Sequence, residues 1–467
     1  MKKVSIFLLS SLLYISLLAQ EPGHEISVKL EGYQDSIVYL GCYFGDKLSI
    51  ADTSKTHKGE FIFEGPGPLK QGVYFLVSIY KQKLFEFLIG DDQHFEIEAD
   101  LHSLPDGVQF KGSDENDRFY SYLDYNKENY DRIKQIQAKL KSLPPGNDSI
   151  ALLTAETDRI NQESIDYKLE IIETYPHSIS SVLFNIMREP EVPDFFLDNG
   201  RQDSISAYLY YRNHYWEYVD FADDRFLRTP VFHRKLERYM RDVIPRHPDS
   251  IINEIDVMIE KTLDNSEMRN YLLWYFTNTY ETSKVMGYDK IFVHMVDQYF
   301  TQQSYDWLHP TVQQNMIIRV NQLRNVLLGA YAPALVMADT GNQFISLREL
   351  SAEYIIILFW SITCGECKQE VKTLNEFYKE TDIDVKIYAV NTDTTFSKWK
   401  DYISKYQLDW VHVNGNVSLT GDYHNIYDIY STPVIYVLDS QKAIIAKRLT
   451  AEKIPAIIER HQKGKTY

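Results

Sequence analysis

Two cysteines three residues apart are the residues best able to do chemistry in this chain. They form the segment Cys364-Gly365-Glu366-Cys367, and the sequence has one further cysteine, Cys42. A thiolate attacks a disulfide sulfur, and a second thiol about one helical turn away can then resolve the mixed disulfide. The spacing therefore predicts thiol–disulfide exchange, with Cys364 as the nucleophile and Cys367 as the resolving thiol.

Such a nucleophile needs the N-terminus of a helix, where free N–H groups and the helix dipole favour the thiolate. The continuous apolar run Tyr354–Trp360 predicts a buried central strand directly before the pair. A helix is predicted from Cys364 to about Tyr378. Further segments continue an α/β alternation to the end of the chain: strands at 385–390, 410–413, 434–438 and 444–448, and helices at about 396–406 and 451–460.

A proline stands at the entry to the strand at 434–438, in the segment Ser431-Thr432-Pro433. Proline is unusual at the entry to a central strand. A cis bond between Thr432 and Pro433 would bring the Thr432 backbone beside the cysteine pair, where a substrate strand could pair with it. The alternative is a trans proline that simply opens the strand.

Two other uses of the cysteine pair are less favoured. Half of a zinc site would need two more ligands, and the spacing of the nearest histidines, His412 and His424, does not support one. A structural disulfide between residues one turn apart would close a very small loop and stabilise little. We therefore expect no metal and no cofactor.

Residues 329–463 resemble the TlpA/ResA-like thiol–disulfide oxidoreductases of the thioredoxin superfamily. The matching segments are Gly329-Ala-Tyr-Ala-Pro333, Asp339-Thr-Gly341, Ser346-Leu-Arg-Glu-Leu350, Leu358-Phe-Trp360, Cys364-Gly-Glu-Cys367-Lys368 and Ser431-Thr-Pro433. The resemblance implies a thioredoxin fold in which Cys364 attacks, Cys367 resolves and Pro433 is cis beside them. We expect Thr432, Pro433 and Trp360 to contact the substrate.

The sequence departs from the family at three positions. Leu358 replaces the buried acid that helps to deprotonate the second cysteine in cytoplasmic thioredoxins, Thr363 stands where tryptophan is common, and Lys372 replaces a helix-kinking proline. Proton transfer would then need Glu366 or water. The negative charge of Glu366 also disfavours the thiolate, which makes a weaker oxidant and favours the reductase or isomerase direction.

Peroxidase chemistry is the competitor within the same superfamily. Peroxiredoxins need the pattern P-x-x-x-[TS]-x-x-C. Ser361 stands at the required serine position, but Ile357 stands where proline is needed, so we do not expect peroxidase activity.

The rest of the chain predicts further domains. Short alternating segments at 21–112 predict a β-rich, sandwich-like module, followed by a helical hairpin at 113–176, an all-helical domain at 177–328 and the thioredoxin-like domain at 329–467. The aromatic-rich stretch Tyr208–Phe221 is interpreted as helix packing rather than a ligand cleft. Cys42 is expected to be a buried free thiol, and a role as a second partner for Cys364 is the alternative.

Composition and the N-terminus bear on location and partners. The 467 residues carry a net charge of −17, which argues against nucleic acid and anionic membranes. Lys2, Lys3 and the apolar run that follows predict a signal peptide at 1–20. We therefore expect an exported protein of the Gram-negative periplasm or envelope, with no stable membrane insertion after cleavage.

These observations favour a multidomain thiol–disulfide oxidoreductase. Its expected partners are protein dithiols or disulfides and an upstream electron donor. The alternative is an envelope binding or scaffold protein whose thioredoxin fold is vestigial or senses redox state.

Overall fold

The computed structural model describes residues 23–464. The chain parts between Val243 and Ile244 into two compact units, which are described separately. The predicted signal peptide at 1–20 lies outside the described residues. Within residues 23–464, no helix is both long enough and apolar enough to cross a membrane.

Between residues 23 and 243, eight strands form two four-stranded sheets. The strands are β1 His24–Glu31, β2 Ile37–Phe44, β3 Lys47–Lys55, β4 Glu60–Gly65, β5 Gly72–Ser78, β6 Lys83–Ile89, β7 His94–Asp100 and β8 Gln109–Lys111. The sheets have the orders β4-β1-β7-β8 and β3-β2-β5-β6. Apolar side chains from both sheets, among them Ile26, Leu76 and Phe95, meet in one core. The predicted β-rich module is confirmed.

Helices follow the sheets in this unit. They are α1 Asp114–Ser142, α2 Ser149–Thr174, α3 Ile179–Met187, α4 Ser204–His214 and α5 Phe232–Arg238. The side chain of Ser113 accepts a hydrogen bond from the N–H of Asn116, so α1 begins at the serine that the sequence indicates. Ser178 and Asp203 cap α3 and α4 in the same way.

The aromatic stretch after residue 208 divides into two parts. Tyr215, Trp216 and Phe221 are buried, and Trp216 makes edge-to-face contacts with both of the others. Helix α4 itself buries no residue, and Tyr208 is partly exposed. The interpretation of the aromatic residues as helix packing therefore holds for residues 215–221.

The second unit begins with helices. They are α6 Pro248–Glu260, α7 Ser266–Glu281, α8 Asp289–Met295 and α9 Pro310–Arg324. Pro248 and Pro310 stand in the first turns of α6 and α9, where a missing N–H has no cost. The boundary between the compact units at 243 falls inside the all-helical domain predicted at 177–328. That domain division stays a prediction.

A seven-stranded sheet forms the rest of the unit, within residues 329–464. Its strands are β9 Val336–Asp339, β10 Phe344–Ser346, β11 Tyr354–Trp360, β12 Val385–Asn391, β13 Val411–Ser418, β14 Val434–Asp439 and β15 Ile444–Lys447. Their order is β10-β9-β13-β12-β11-β14-β15. Strand β11 pairs in parallel with β12 and antiparallel with β14, so it is central, as predicted.

Helices cover this sheet. They are α10 Gly365–Glu380, α11 Phe396–Tyr406, the single turn α12 Tyr423–Ile426 and α13 Ile454–Gln462. Alternate residues of β11 enter two different cores, with Ile357 in one and Leu358 in the other. Both faces of the sheet are therefore buried, which explains why β11 reads as a continuous apolar run.

Candidate active site

Cys364 lies at the junction of strand β11 and helix α10. It is the N-cap residue of α10, and its Sγ accepts a hydrogen bond from the N–H of Cys367 at 3.1 Å. An N-cap acceptor satisfies one of the free N–H groups of the first turn, and here that acceptor is sulfur. The helix terminus stabilises negative charge on this atom, which is the requirement for a nucleophilic thiol.

Cys367 is fully buried one turn along α10. Burial raises the pKa of its thiol to about 11, with a further contribution from the neighbouring Cys364. A thiol in an apolar setting resists ionisation because the thiolate loses its solvation. The two thiols are thus inequivalent: Cys364 is partly exposed and capped by N–H, whereas Cys367 is enclosed.

The bond between Thr432 and Pro433 is cis. Cys364 Sγ lies 3.5 Å from the backbone carbonyl oxygen of Thr432 and donates a hydrogen bond to it. Thr432 and Pro433 are half-buried. The structure therefore brings together the cysteine nucleophile and the proline loop that the sequence predicts beside it.

Asp393 is a site residue that the sequence analysis missed. Its carboxylate accepts hydrogen bonds from Ser361 Oγ at 2.7 Å, from the N–H of Ile362 at 2.5 Å and from Thr363 Oγ1 at 3.2 Å. These three residues connect β11 to Cys364. One carboxylate thus holds the whole segment that presents the nucleophile.

A sequence signal for Asp393 does exist. Asn391, Thr392 and Asp393 form a polar run directly after the predicted strand at 385–390. Strands β11 and β12 are parallel neighbours with Trp360 opposite Asn391, so their carboxyl ends meet at one sheet edge. Residues that follow the two strands are therefore close in space.

Trp360 corrects one prediction. Its side chain is fully buried in the core that also contains Leu358 and Cys367, and it packs against Tyr402 at a ring-centroid distance of 5.5 Å. It cannot contact a substrate there. Trp360 and Cys367 are instead buried in the same hydrophobic core.

The charged residues near the pair face solvent. Glu366 is exposed in the first turn of α10, and Lys372 is exposed further along the same helix. Leu358, at the position of the missing buried acid, is fully buried and apolar. Protons exchanged by Cys367 must therefore travel without a carboxylate at residue 358, and the role of Glu366 stays a prediction.

The remaining candidates lie elsewhere. Cys42 is half-buried on β2 opposite Tyr74, and burial raises the pKa of its thiol. His412 Nε2 lies 3.1 Å from the carbonyl oxygen of Leu408 inside the domain. Among residues 23–464, no group of three or more His, Cys, Asp or Glu side chains is placed to hold a metal ion.

Comparisons with known proteins agree with this geometry. Residues 352–444, which contain the cysteine pair and the cis-proline, match the family model described as thioredoxin-like. The C-terminal domain belongs to the thioredoxin-like family. The thioredoxin-like domain follows two segments, 24–119 and 147–324, that match families described as domains of unknown function (DUF4369 and DUF5106).

Individual relatives cover the same region. The thioredoxin-like protein YneN of Bacillus subtilis is 23% identical over 119 residues, which are 25% of this chain and 68% of that protein. A domain of a possible thiol-disulfide isomerase from Cytophaga hutchinsonii is 34% identical, with 30% of this chain and 95% of that one covered and a TM-score of 0.28. A thioredoxin-like protein from Bacteroides caccae is 16% identical, with 59% and 98% covered and a TM-score of 0.45.

Proposed function

We propose that this chain is a thiol–disulfide oxidoreductase that works through Cys364 and Cys367. The observation that carries the proposal is the environment of Cys364 Sγ. This atom caps helix α10, accepts the Cys367 N–H at 3.1 Å and lies 3.5 Å from the carbonyl oxygen of Thr432. A partly exposed sulfur at a helix N-terminus beside a free backbone edge is suited to attack a disulfide in an extended substrate.

The proposed reaction transfers two electrons and two protons. The Cys364 thiolate attacks one sulfur of the substrate disulfide, a mixed disulfide forms, and the other substrate sulfur leaves as a thiolate that takes up a proton. Cys367 then loses its proton to solvent and attacks Cys364 Sγ. The second substrate sulfur leaves as a thiolate and also takes up a proton, and the enzyme holds a Cys364–Cys367 disulfide that an upstream dithiol donor must reduce.

The reductase or isomerase direction is part of the proposal. Glu366, exposed in the first turn of α10, places negative charge near Cys364, and the burial of Cys367 holds the pKa of its thiol high. Negative charge at Glu366 disfavours the thiolate of the reduced form, so the dithiol gives up electrons more readily, and the buried Cys367 thiol is protonated at pH 7. A reduction potential near that of the strongly oxidising periplasmic proteins, measured against glutathione buffers, would contradict this direction.

Insulin reduction by the purified protein is the direct test. We expect turnover by the wild type, no turnover by Cys364→Ser, and a trapped mixed disulfide in Cys367→Ser. Cys42→Ser is the matched control because it removes the third thiol without touching the pair, and it should retain full activity. A cysteine pair that cycles with dithiothreitol without insulin turnover would indicate a narrow protein substrate. A pair that neither cycles nor reduces insulin would favour the binding or scaffold alternative.

Export to the periplasm or envelope is proposed from the N-terminal sequence. The experiment is fractionation of cells that express the full chain, followed by mass determination of the mature protein. A product that starts near residue 21 and is released with the periplasmic fraction is expected. A full-length product in the cytoplasmic fraction would contradict export.

A further inference from the structure

The loop that leads to the cis-proline contains a buried carboxylate. Asp428 is 1% exposed and has a left-handed backbone conformation with φ of +54°. Arg319 and Arg448 both bind its carboxylate. A buried carboxylate is stable only when it is paired and hydrogen-bonded, so these two arginines determine where Asp428 can lie.

Arg319 belongs to a helix that precedes the part of the chain that matches the thioredoxin-like family. Arg319 lies on helix α9, whereas the family match covers 352–444. The two terminal nitrogens of Arg319 bind the two carboxylate oxygens of Asp428, and the distance from Arg319 Nη2 to Asp428 Oδ2 is 3.0 Å. Paired contacts of this kind fix orientation as well as distance.

Helix α9 contacts the same loop at further points. Tyr430 donates a hydrogen bond to Gln322 Oε1 at 2.6 Å, and the Arg319 guanidinium lies 5.2 Å from the centre of the Tyr430 ring. Gln322 Nε2 donates to Asn425 Oδ1 at 3.0 Å. The segment from Asn425 to Tyr430 is thus held against one face of α9.

The held segment is joined closely to the reactive site. Three residues separate Asp428 from Thr432, and the first of them, Ile429, is buried and donates its N–H to the carbonyl oxygen of His424 at 2.7 Å. Thr432, at the end of this short connection, is the residue whose carbonyl oxygen accepts the hydrogen bond from Cys364 Sγ.

We propose that Arg319 is a positioning residue for disulfide exchange. Through Asp428, helix α9 sets the position of the Thr432 backbone relative to Cys364. Helix α9 therefore contributes to the geometry of the active site, although it precedes the thioredoxin-like domain. This inference rests on the proposed oxidoreductase function.

The inference separates two kinds of substrate. A protein disulfide lies in an extended chain that pairs with the Thr432 backbone, so its reaction depends on the position of this loop. A small aromatic disulfide, such as dithiobis-nitrobenzoate, needs Cys364 but no extended pairing. Loss of Arg319 should therefore slow the first reaction much more than the second.

The test compares two arginines of α9 in the full chain. Arg319→Gln removes the contact with the loop. Arg324→Gln is the matched control, because Arg324 also binds a carboxylate through both terminal nitrogens, at 2.7 and 2.8 Å from Asp297, but does not touch the loop. We measure insulin reduction, reduction of dithiobis-nitrobenzoate and thermal unfolding for each protein.

We expect Arg319→Gln to lower the insulin rate about tenfold or more, since small misplacements of reacting groups have effects of this size. Its rate with the small disulfide and both rates of Arg324→Gln should stay within about twofold of wild type. Arg319→Lys, which keeps the charge and a single contact, should restore part of the insulin rate.

Two results would overturn the inference while the proposed function stands. One is equal insulin rates for Arg319→Gln and Arg324→Gln. The other is an equal loss with both substrates that follows the loss of thermal stability, which would indicate a structural role alone. A wild type that reduces neither substrate would overturn the proposed function itself, and this inference with it.

Discussion

Replacement of Asp393 by asparagine tests how the nucleophile is presented. The Asp393 carboxylate accepts hydrogen bonds from Ser361, Ile362 and Thr363, the three residues that join β11 to Cys364. Asparagine has almost the same shape but one acceptor atom fewer and no charge. In the variant, the side-chain oxygen of asparagine can still accept hydrogen bonds from the hydroxyls of Ser361 and Thr363. Its NH2 group then faces the N–H of Ile362, and because both groups are donors, that hydrogen bond is lost.

The expected magnitude follows from these contacts. A hydrogen bond to a charged group contributes about 1.5–3 kcal/mol and a neutral one about 0.5–1.5 kcal/mol. Two weakened bonds and one lost bond therefore destabilise the segment by about 4–5 kcal/mol. Because part of this free energy holds Cys364 in its reacting position, we expect kcat/KM for insulin reduction to fall by about 10- to 100-fold, where each tenfold step corresponds to about 1.4 kcal/mol.

The control for this assay is a carboxylate that also accepts backbone hydrogen bonds but lies far from Cys364. Asp439 accepts hydrogen bonds from the N–H groups of Gln441 and Ala443 at 2.9 and 2.8 Å, in the turn after β14. It lies opposite Tyr354, at the end of β11 far from Cys364. Asp439→Asn should therefore keep its turn and its insulin activity, and thermal unfolding of both variants reports any general loss of stability.

One pattern of results would refute this reasoning. If Asp393→Asn reduces insulin as fast as Asp439→Asn while both remain folded, the carboxylate does not position the nucleophile. The hydrogen bond between Cys364 Sγ and the Thr432 carbonyl oxygen would then be a remaining contact that positions the nucleophile.

Three further outcomes are expected. Burial lowers the pKa of His412 from 6.5 to about 4, so folding loses stability as the pH falls from 6.5 towards 4, where the unfolded chain binds the proton more tightly. His412→Leu should remove about 3 kcal/mol of this acid-induced loss of stability, measured by urea titration at each pH. An unchanged pH dependence in the variant would contradict this prediction. In the Cys364→Ser variant, the rate at which iodoacetamide labels Cys367 should still rise about tenfold per pH unit above pH 9, because burial is the main cause of the high pKa of this thiol. A labelling rate that levels off near pH 9 would show that the thiol is solvated. A methyl group at Gly41 would lie 2.2 Å from the Phe75 ring, so Gly41→Ala should lower the free energy of unfolding of the first unit by about 1–3 kcal/mol. Gly67→Ala is the control, because a methyl group there meets no atom within 4 Å; an equal effect of both changes would contradict the packing argument.

Strong local patterns made much of the C-terminal domain predictable. The seven apolar residues of β11 and the helix start at Cys364 follow from composition and capping alone. The position of Pro433 beside the pair needed the resemblance to a family, because a proline at a strand entry is equally consistent with a trans bond.

Other elements carried too weak a pattern. Strand β3, with the sequence KLSIADTSK, is an exposed edge strand with little alternation, and β8 has three residues. Their sequences alone do not identify them as strands, because an edge strand owes its formation to its neighbour rather than to an apolar face of its own.

The error at Trp360 has a simple physical origin. Side chains alternate along a strand, so Trp360 shares a face with Leu358 and Ile356 and enters the same core. Proximity in sequence to Cys364 suggested substrate contact, whereas the alternation indicated burial. Asp393 has a local signal in the polar run after β12, but its use requires the order of the neighbouring strands. Arg319 binds Asp428 across 109 residues of sequence, and no local pattern contains that contact.

The enclosure of Cys367 has a consequence for the lifetime of the captured substrate. With a pKa of about 11, only about one thiol in ten thousand is ionised at pH 7, a hundredfold fewer than at the ordinary value of 9. Burial is the main cause of this high pKa and is also present when Cys364 holds a client, so resolution should be slower than with a solvated thiol. Rapid acid quenching of wild-type cells should preserve the covalent complexes of enzyme and client, and the physiological substrates would be identified without any trapping mutation.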